Sequence, residues 1–473
     1  MADEAALRAE IERLKRENAE QACRIADLES AVRKLAAQLK MNSTTSSMPP
    51  SSDLARGRLV QRLLRKPTGR KRGGQPGHEG ASRDWFEASE LDHVVALLPE
   101  RCRDCHAPLR GQGILADAHQ VVEVPPAAAE VTEYQLYKRT CACGATTTAA
   151  LPQEVPTTCV GPRLQAVLTT LTGRYRLSRR EAQEVVVSLY GPKAEVALGT
   201  IFALEKRSSE ALRPVWEEAR SAVQASDAAN LDETGWMEAK DKAWLWGAVV
   251  HLLSVFRIHR RRSAEAFHAL MGPAYAGAIG TDRWTSYHGH PKRKRGLCWA
   301  HLKRDFKALT ELGHKGASRI GNAGLHAEKA VTQAYRRYLA GEIAHASLRP
   351  LLQDERTRLE RFLRWGAAST EPKAAALCHD VLKRYGCLWT FTRIRGIEPT
   401  NNRAERALRK AVLWRKGSFG SDSPEGSRFA ERMLTVSESL RAQGRNVLEF
   451  VEAAIRANLT GAPHPSLLPL NSS

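Results

Sequence analysis

The sequence predicts a multidomain α/β protein. Its sheet core carries a large helical insertion and is preceded by a coiled coil, a small cysteine-bearing domain and a helical subdomain. Three observations predict this. Short apolar and β-branched runs between residues 228 and 282 alternate with turn signals, with one helical piece among them. Residues 7–39 repeat apolar positions in heptads. Two close cysteine pairs lie in a stretch between 91 and 150 that reads as short strands.

The elements follow in chain order. In residues 1–41, Ile11, Asn18, Ile25, Val32 and Leu39 fall at heptad position a, and Leu7, Leu14, Gln21, Leu28 and Leu35 at d. β-branched residues at a with Leu at d favour a parallel two-stranded coil, and one Asn at a sets register. This predicts a homodimer through residues 7–39; a single amphipathic helix packed on its own domain is the alternative. Residues 42–90 open with "NSTTSSMPPSS", a linker composition. Eight basic residues and no acid follow from Arg56 to Gly74, Arg70, Lys71 and Arg72 among them. A Gly-rich basic arm can follow a phosphate backbone or enter a narrow minor groove; a solvated linker is the plainer reading. Residues 157–222 predict three helices, with Ser178 and Thr200 as N-caps of the second and third. They suit a helix-turn-helix reader or a packing subdomain equally well.

From 228, "AANLDE", "KAWLWGAVV" and "SVFRIHR" predict a three-stranded meander. "SAEAFHALMG" predicts a helix, and "AGAIGTD" another strand. The core domain spans 223–440, with a charged helical insertion at about 298–390. Residues 441–473 hold a last helix and a loose tail.

Composition narrows the function classes. The chain has 473 residues, with 72 Lys and Arg against 52 Asp and Glu, a net charge of +20. That excess favours a polyanionic partner, nucleic acid or an anionic membrane. The most apolar run, "WLWGAVVHLLSVF", is too short for a bilayer helix. The charged N-terminus has no apolar signal core, so nine cysteines predict a reducing, cytoplasmic compartment and metal ligation rather than disulfides.

Three constellations could carry chemistry. Cys102 and Cys105, with Cys141 and Cys143, supply four soft ligands for a structural tetrahedral Zn²⁺. Gly144 follows the second pair, whereas His106 follows the first and could replace one ligand. Asp232 ends the first predicted strand of the core and Asp282 ends the last. Functional groups gather at strand ends in α/β sheets, and two acids converging there call for a divalent cation such as Mg²⁺. Glu405, in "EPTNNRAERALRK", could supply a third carboxylate. On a helix, Asn402, Glu405, Arg406 and Arg409 share one face. The acid would grip phosphate through a metal while Arg403, Arg406 and Arg409 hold flanking phosphates; a surface pair between Glu405 and Arg409 is the bland alternative. Cys298 and His301, in "CWAHLKRDF", read as half a metal site or as helix packing. No phosphate loop and no nucleophile elbow occurs.

These motifs together resemble the IS66 family of bacterial insertion-sequence transposases. The likeness rests on "GRKRGGQPGHEG", the paired cysteines, "DETGW", "SYHGH" followed by "LCWAHLKRDF", and "TNNRAERALRKAVLWRKGSFGS". It runs from the heptads to about residue 455. The resemblance implies an RNase H-like mixed sheet and a DDE triad of Asp232, Asp282 and Glu405. It implies two Mg²⁺ per site, cleavage at the element's ends, and attack of the freed 3′-hydroxyl on target DNA. It also implies Zn²⁺ on Cys102, Cys105, Cys141 and Cys143, small accessory proteins from the same element, and a nucleoid-associated bacterial location. Trp284 stands two residues after the second acid, where the family leads one to expect Tyr. Two rival classes are a zinc-containing zipper regulator without catalysis and a Tyr or Ser recombinase. The first needs no acid triad, and the second forms a covalent DNA adduct without metal.

Overall fold

The computed structural model describes residues 10, 12–22, 24, 25, 28 and 83–469. Most of the predicted dimer segment and the basic arm with Arg70, Lys71 and Arg72 lie outside the described residues. The described N-terminal positions are helical, and Leu14, Ile25 and Leu28 among them are exposed on the chain.

The chain divides into two compact units, Ala55–Ala128 and the remainder. In the first, most described side chains are exposed. The Gln120 carboxamide clamps the Phe86 backbone, accepting from its N–H and donating to its carbonyl, both at 2.9 Å. A tight turn at 101–108 is closed by a single bridge between Arg101 and Pro108.

After residue 128 the second unit holds a hairpin of β1 (Lys138–Thr140) and β2 (Thr146–Thr148) around Cys141–Gly144. The expected strand-rich segment therefore holds one short hairpin among the described residues. Its side chains are exposed, so no buried face extends the pairing.

Four helices follow: α1 (Pro162–Gly173), α2 (Arg179–Tyr190), α3 (Leu198–Ala211) and α4 (Arg213–Gln224). Ser178 caps α2 in a capping box with Glu181. Two expectations fail here. The third predicted helix is broken at Leu212, because Pro214 has no N–H to continue the ladder and instead suits a first turn. α3 starts at Leu198, so Thr200 is inside the helix rather than its N-cap.

The core is a five-stranded mixed sheet in the order β5-β4-β3-β6-β7. Its strands are β3 (Ala228–Glu238), β4 (Asp241–Val250), β5 (Leu253–His259), β6 (Ala278–Thr281) and β7 (Arg295–Leu297), with α5 (Ala264–Met271) before β6. β3, β4 and β5 form the predicted antiparallel meander, while β6 and β7 add in parallel beside β3. β3 is longer than expected: it runs past Asp232 to Glu238 because "TGWME" continues pairing with β4.

A helical insertion follows β7, formed by α6 (Trp299–Thr310), α7 (Lys315–Leu339), α8 (Leu348–Leu351), α9 (Gln353–Ala367) and α10 (Pro372–Lys383), and a 3₁₀ stretch over Tyr385–Thr392. Its core buries Trp299, Phe306, Ile320, Leu363 and Trp389. A β-carbon at Gly324 would lie 2.2 Å from the Phe306 ring, so glycine there lets α7 approach α6.

Three helices close the fold: α11 (Asn402–Ser418), α12 (Pro424–Gln443) and α13 (Val447–Thr460). The alternation of strand side chains sorts the sheet into two faces. Ala229, Leu231, Trp246, Ala248 and Val255 join a core with residues of α4, α5, α12 and α13. Trp236, Leu245, Phe256 and Ile258 pack with Ala404, Ala407, Leu408 and Ala411 of α11. Edge strand β5 is sealed by α12. Ser439 and Thr435 hydroxyls accept the N–H groups of Ser254 and Phe256 at 3.0 and 3.1 Å, and the Glu431 carboxylate accepts that of Ile258. A helix side chain every fourth residue thus meets a strand N–H every second residue, covering an edge that would otherwise pair with another chain.

Candidate active site

Asp232 lies within β3, on the same pleat face as Asn230 and Trp236, the face that α11 covers. β6 pairs with β3 from Ala228↔Ala278 to Asn230↔Gly280. Continued by two residues, that register sets Asp282, just past the end of β6, beside Asp232. Glu405 lies in the first turn of α11.

Hydrogen bonds join the residues flanking these acids. The Cys298 N–H donates to the Thr281 carbonyl at 3.0 Å. The Asn401 N–H donates to the Cys298 sulfur at 3.1 Å, and the Asn401 carboxamide donates to the Leu231 carbonyl at 2.6 Å. Thr281 precedes the second acid, Leu231 precedes the first, and Asn401 starts the helix of the third. Asn401 is 1% exposed. Its role has no counterpart in the sequence analysis, where the stretch "TNNRAER" counted for its helix face, its charges and its likeness to the family.

The electrostatics are those of crowded carboxylates. Burial pushes the Asp232 carboxyl well above the usual range, and the charges of Glu233, Asp282 and Glu405 push it further. Among the described residues, neither Asp232 nor Asp282 has a basic side chain within ion-pair distance; nearby arginines are engaged elsewhere. Arg262 pairs with Glu233 at 2.7 Å and lies 3.7 Å over the Trp284 ring. Arg283 pairs with Asp305 and, at 2.8 Å, with Asp380. Arg295 donates to the carbonyls of Asp282 and Trp284 at 2.9 and 3.3 Å, bracing the turn that carries the second acid. The Trp284 N–H donates to the Asp282 carboxylate at 2.8 Å.

Glu233, passed over in "DETGW", points to the opposite face. It accepts from the Tyr287 hydroxyl and from Arg262 at 2.8 Å. Burial raises its pKa first, then the Asp282 charge, while Tyr287 and Arg262 oppose the rise.

A family model of the IS66 transposases matches residues 179–429, more than half of the chain. This chain belongs to the IS66 transposase family. The match takes in all three acids, Asn401, Cys298 and His301. A second model, a family of unknown function, matches residues 1–84. The IS66 chain is also similar to an uncharacterized protein, y4qI, of Sinorhizobium fredii (strain NBRC 101917 / NGR234), with 24% identity over 261 residues. That alignment covers 49% of this chain and 47% of the relative, so the chain spans about half the length of the relative it matches. No solved structure matches.

Within the matched region, the nearest partner of Glu405 is His301 on α6, not Arg409. His301 Nδ1 and Glu405 Oε1 are 3.5 Å apart. Among the described residues, the group whose ligand atoms all lie within 4.8 Å of one another is Cys298, His301 and Glu405, rather than the three acids together. On the outward face of α11, Arg406 and Arg409 are exposed, and Asn402 is half-buried. Arg403 turns to Glu398 at 2.6 Å, so its charge is partly satisfied within the chain.

The thiol pairs fall in different units. Around Cys102 and Cys105, the Cys102 N–H donates to the Ala107 carbonyl at 2.8 Å and the His106 N–H to the Cys102 carbonyl at 3.0 Å. Around Cys141 and Cys143, the Cys141 N–H donates to the Ala145 carbonyl at 2.8 Å and the Gly144 N–H to the Cys141 carbonyl at 2.9 Å. The residue after the second thiol takes positive φ in both, 59° at His106 and 86° at Gly144. His is among the side chains that tolerate this conformation, so His106 takes the positive φ without a glycine, in a turn one residue longer than that at Cys141. Backbone N–H groups, those of Cys105 and of Cys143, lower the Cys102 and Cys141 thiol pKa respectively.

Proposed function

We propose that this protein is the transposase of a bacterial insertion sequence and cuts and joins DNA by divalent-metal-dependent phosphoryl transfer. The observation that carries the reading is the crowding at Asp232, whose ionisation is opposed by burial first and then by the charges of Glu233, Asp282 and Glu405, with no basic side chain within ion-pair distance among the described residues. Oxygen donors left uncompensated fit a hard cation such as Mg²⁺, and a mixed sheet with acids on its middle strand and at the end of the parallel neighbour suits an RNase H-like core. Asp232, Asp282 and Glu405 would hold two such ions. When bound, these activate a hydroxyl nucleophile and stabilise the leaving oxygen.

The chain's own residues do the rest. Asn401 and Arg295 keep the acids in place before DNA arrives. Arg406 and Arg409, with Asn402, hold phosphates on either side of the scissile bond, and Arg403 stands at the rim of that surface. The basic arm with Arg70, Lys71 and Arg72 tracks the duplex. Strand cleavage at an element end leaves a 3′-hydroxyl, which then attacks a target phosphodiester and displaces its 3′-oxygen.

Residues 7–39 pair two chains so that two element ends meet two sites, consistent with apolar d and a positions exposed on the single chain. The sequence pairing of Cys102 with Cys105 and of Cys141 with Cys143 favours a structural Zn²⁺ held by these thiols. Accessory proteins of the element would join this complex.

The test uses element-end DNA with and without Mg²⁺, with wild type beside Asp232→Asn. Nicking that disappears without metal and in the variant is expected. Metal-independent cutting, or a protein–DNA adduct trapped on denaturation, would overturn the reading.

A further inference from the structure

We propose that Cys298, His301 and Glu405 form a second metal site, selective for a borderline-soft divalent ion of the Zn²⁺ class, that shares Glu405 with the catalytic acids. His301 Nδ1 and Glu405 Oε1 are both buried, and neither has a hydrogen-bond partner. Buried polar atoms left unpaired in this way are costly, yet these two face each other at 3.5 Å. That separation suits two ligands on one tetrahedral Zn²⁺ with bonds of about 2.0–2.1 Å. The Cys298 sulfur completes a set of three within 4.8 Å, leaving the fourth position for water or a phosphate oxygen.

The surroundings suit ligation. Cys298 precedes α6, and His301 lies one turn in, so both reach the same side of the helix start. The Asn401 N–H already donates to the sulfur. Without metal, burial pushes the thiol up to about 11, so ion binding would expel its proton to solvent. Burial and the Arg304 charge push His301 down, which keeps its imidazole neutral and able to ligate. A thiolate, an imidazole and a carboxylate prefer Zn²⁺ or Co²⁺ over Mg²⁺, which takes oxygen.

The consequence is regulatory and rests on Glu405 being the third acid: an ion held by Cys298 and His301 withdraws this carboxylate, so Zn²⁺ opposes Mg²⁺-supported cleavage. The binding itself does not depend on that reading.

Co²⁺ uptake by the full chain separates the two. After exposure to Co²⁺ and removal of free ion, wild type should retain about one more Co²⁺ per chain than Cys298→Ser. Wild type should also show stronger sulfur-to-cobalt absorption. His301→Asn, a change at a half-buried position, should lose the same ion, which guards against a Cys298 variant that fails to fold. Asp232→Asn, which leaves the thiol in place, should keep the sulfur-to-cobalt absorption of wild type. Equal uptake and absorption in wild type, Cys298→Ser and His301→Asn would overturn the site. Cleavage surviving in Asp232→Asn would instead overturn the catalytic reading and leave the cobalt result intact.

Discussion

Asn401 donates its carboxamide to the Leu231 carbonyl and its backbone N–H to the Cys298 sulfur. One residue thereby ties the start of α11 to β3 through its side chain and to the segment after β7 through its backbone. Asn401→Ala leaves a buried carbonyl unpaired and should lower stability by about 1–3 kcal/mol, read by urea denaturation. DNA cleavage should fall by more than the loss of folded protein explains, because the helix bearing Glu405 loses its anchor. A variant as active as wild type would mean that Glu405 needs no such anchor. This role was not legible in the sequence: the partner of Asn401 lies 170 residues away, and no local pattern marks such a contact. The three acids stand out in the sequence as candidates because two follow strand-like runs and the third sits among arginines. Glu233 was hidden by its neighbour, since only the strand's pleat separates the residue facing α11 from the one facing Tyr287.

At the scale of elements, α12 and β5 form a joint with its own pH dependence. Burial pushes the Glu431 carboxyl up to about 7, against the pull of Arg428 and the Ile258 N–H. The native state therefore holds a proton that the unfolded chain releases near its ordinary value of 4.5. The proton-linked stability is full below about 4.5 and is lost as pH rises through about 7. Glu431→Gln should remove a loss of about 2–3 kcal/mol between pH 5 and 8, measured as the difference in thermal or urea stability from wild type. The same slope in both proteins would show that Glu431 is not the group responsible. Elements with strong periodicity, such as β4, α2 and the insertion helices, follow from the sequence. β7 does not, because three residues after a basic run carry no period of their own and become a strand only by pairing with β6. The break between α3 and α4 was signalled by Pro214, and an unbroken reading of that segment underweighted a helix-starting proline.

At the scale of the molecule, a net charge of +20 and an outward row of arginines on α11 predict salt-dependent DNA affinity. Each neutralised phosphate contributes a log–log slope of about −0.9, so Arg406→Ala with Arg409→Ala should flatten the slope by about 2. An unchanged slope would put the DNA on another face. No helix among the described residues is long and apolar enough to cross a membrane. The proposed reaction requires that three carboxylates, from β3, the end of β6 and α11, share one cation site. Titration with Mn²⁺, followed by water proton relaxation, tests that directly. Asp232→Asn, Asp282→Asn and Glu405→Gln should each weaken binding by about tenfold or more, in folded protein. Full Mn²⁺ affinity retained by Glu405→Gln would remove Glu405 from the cation site.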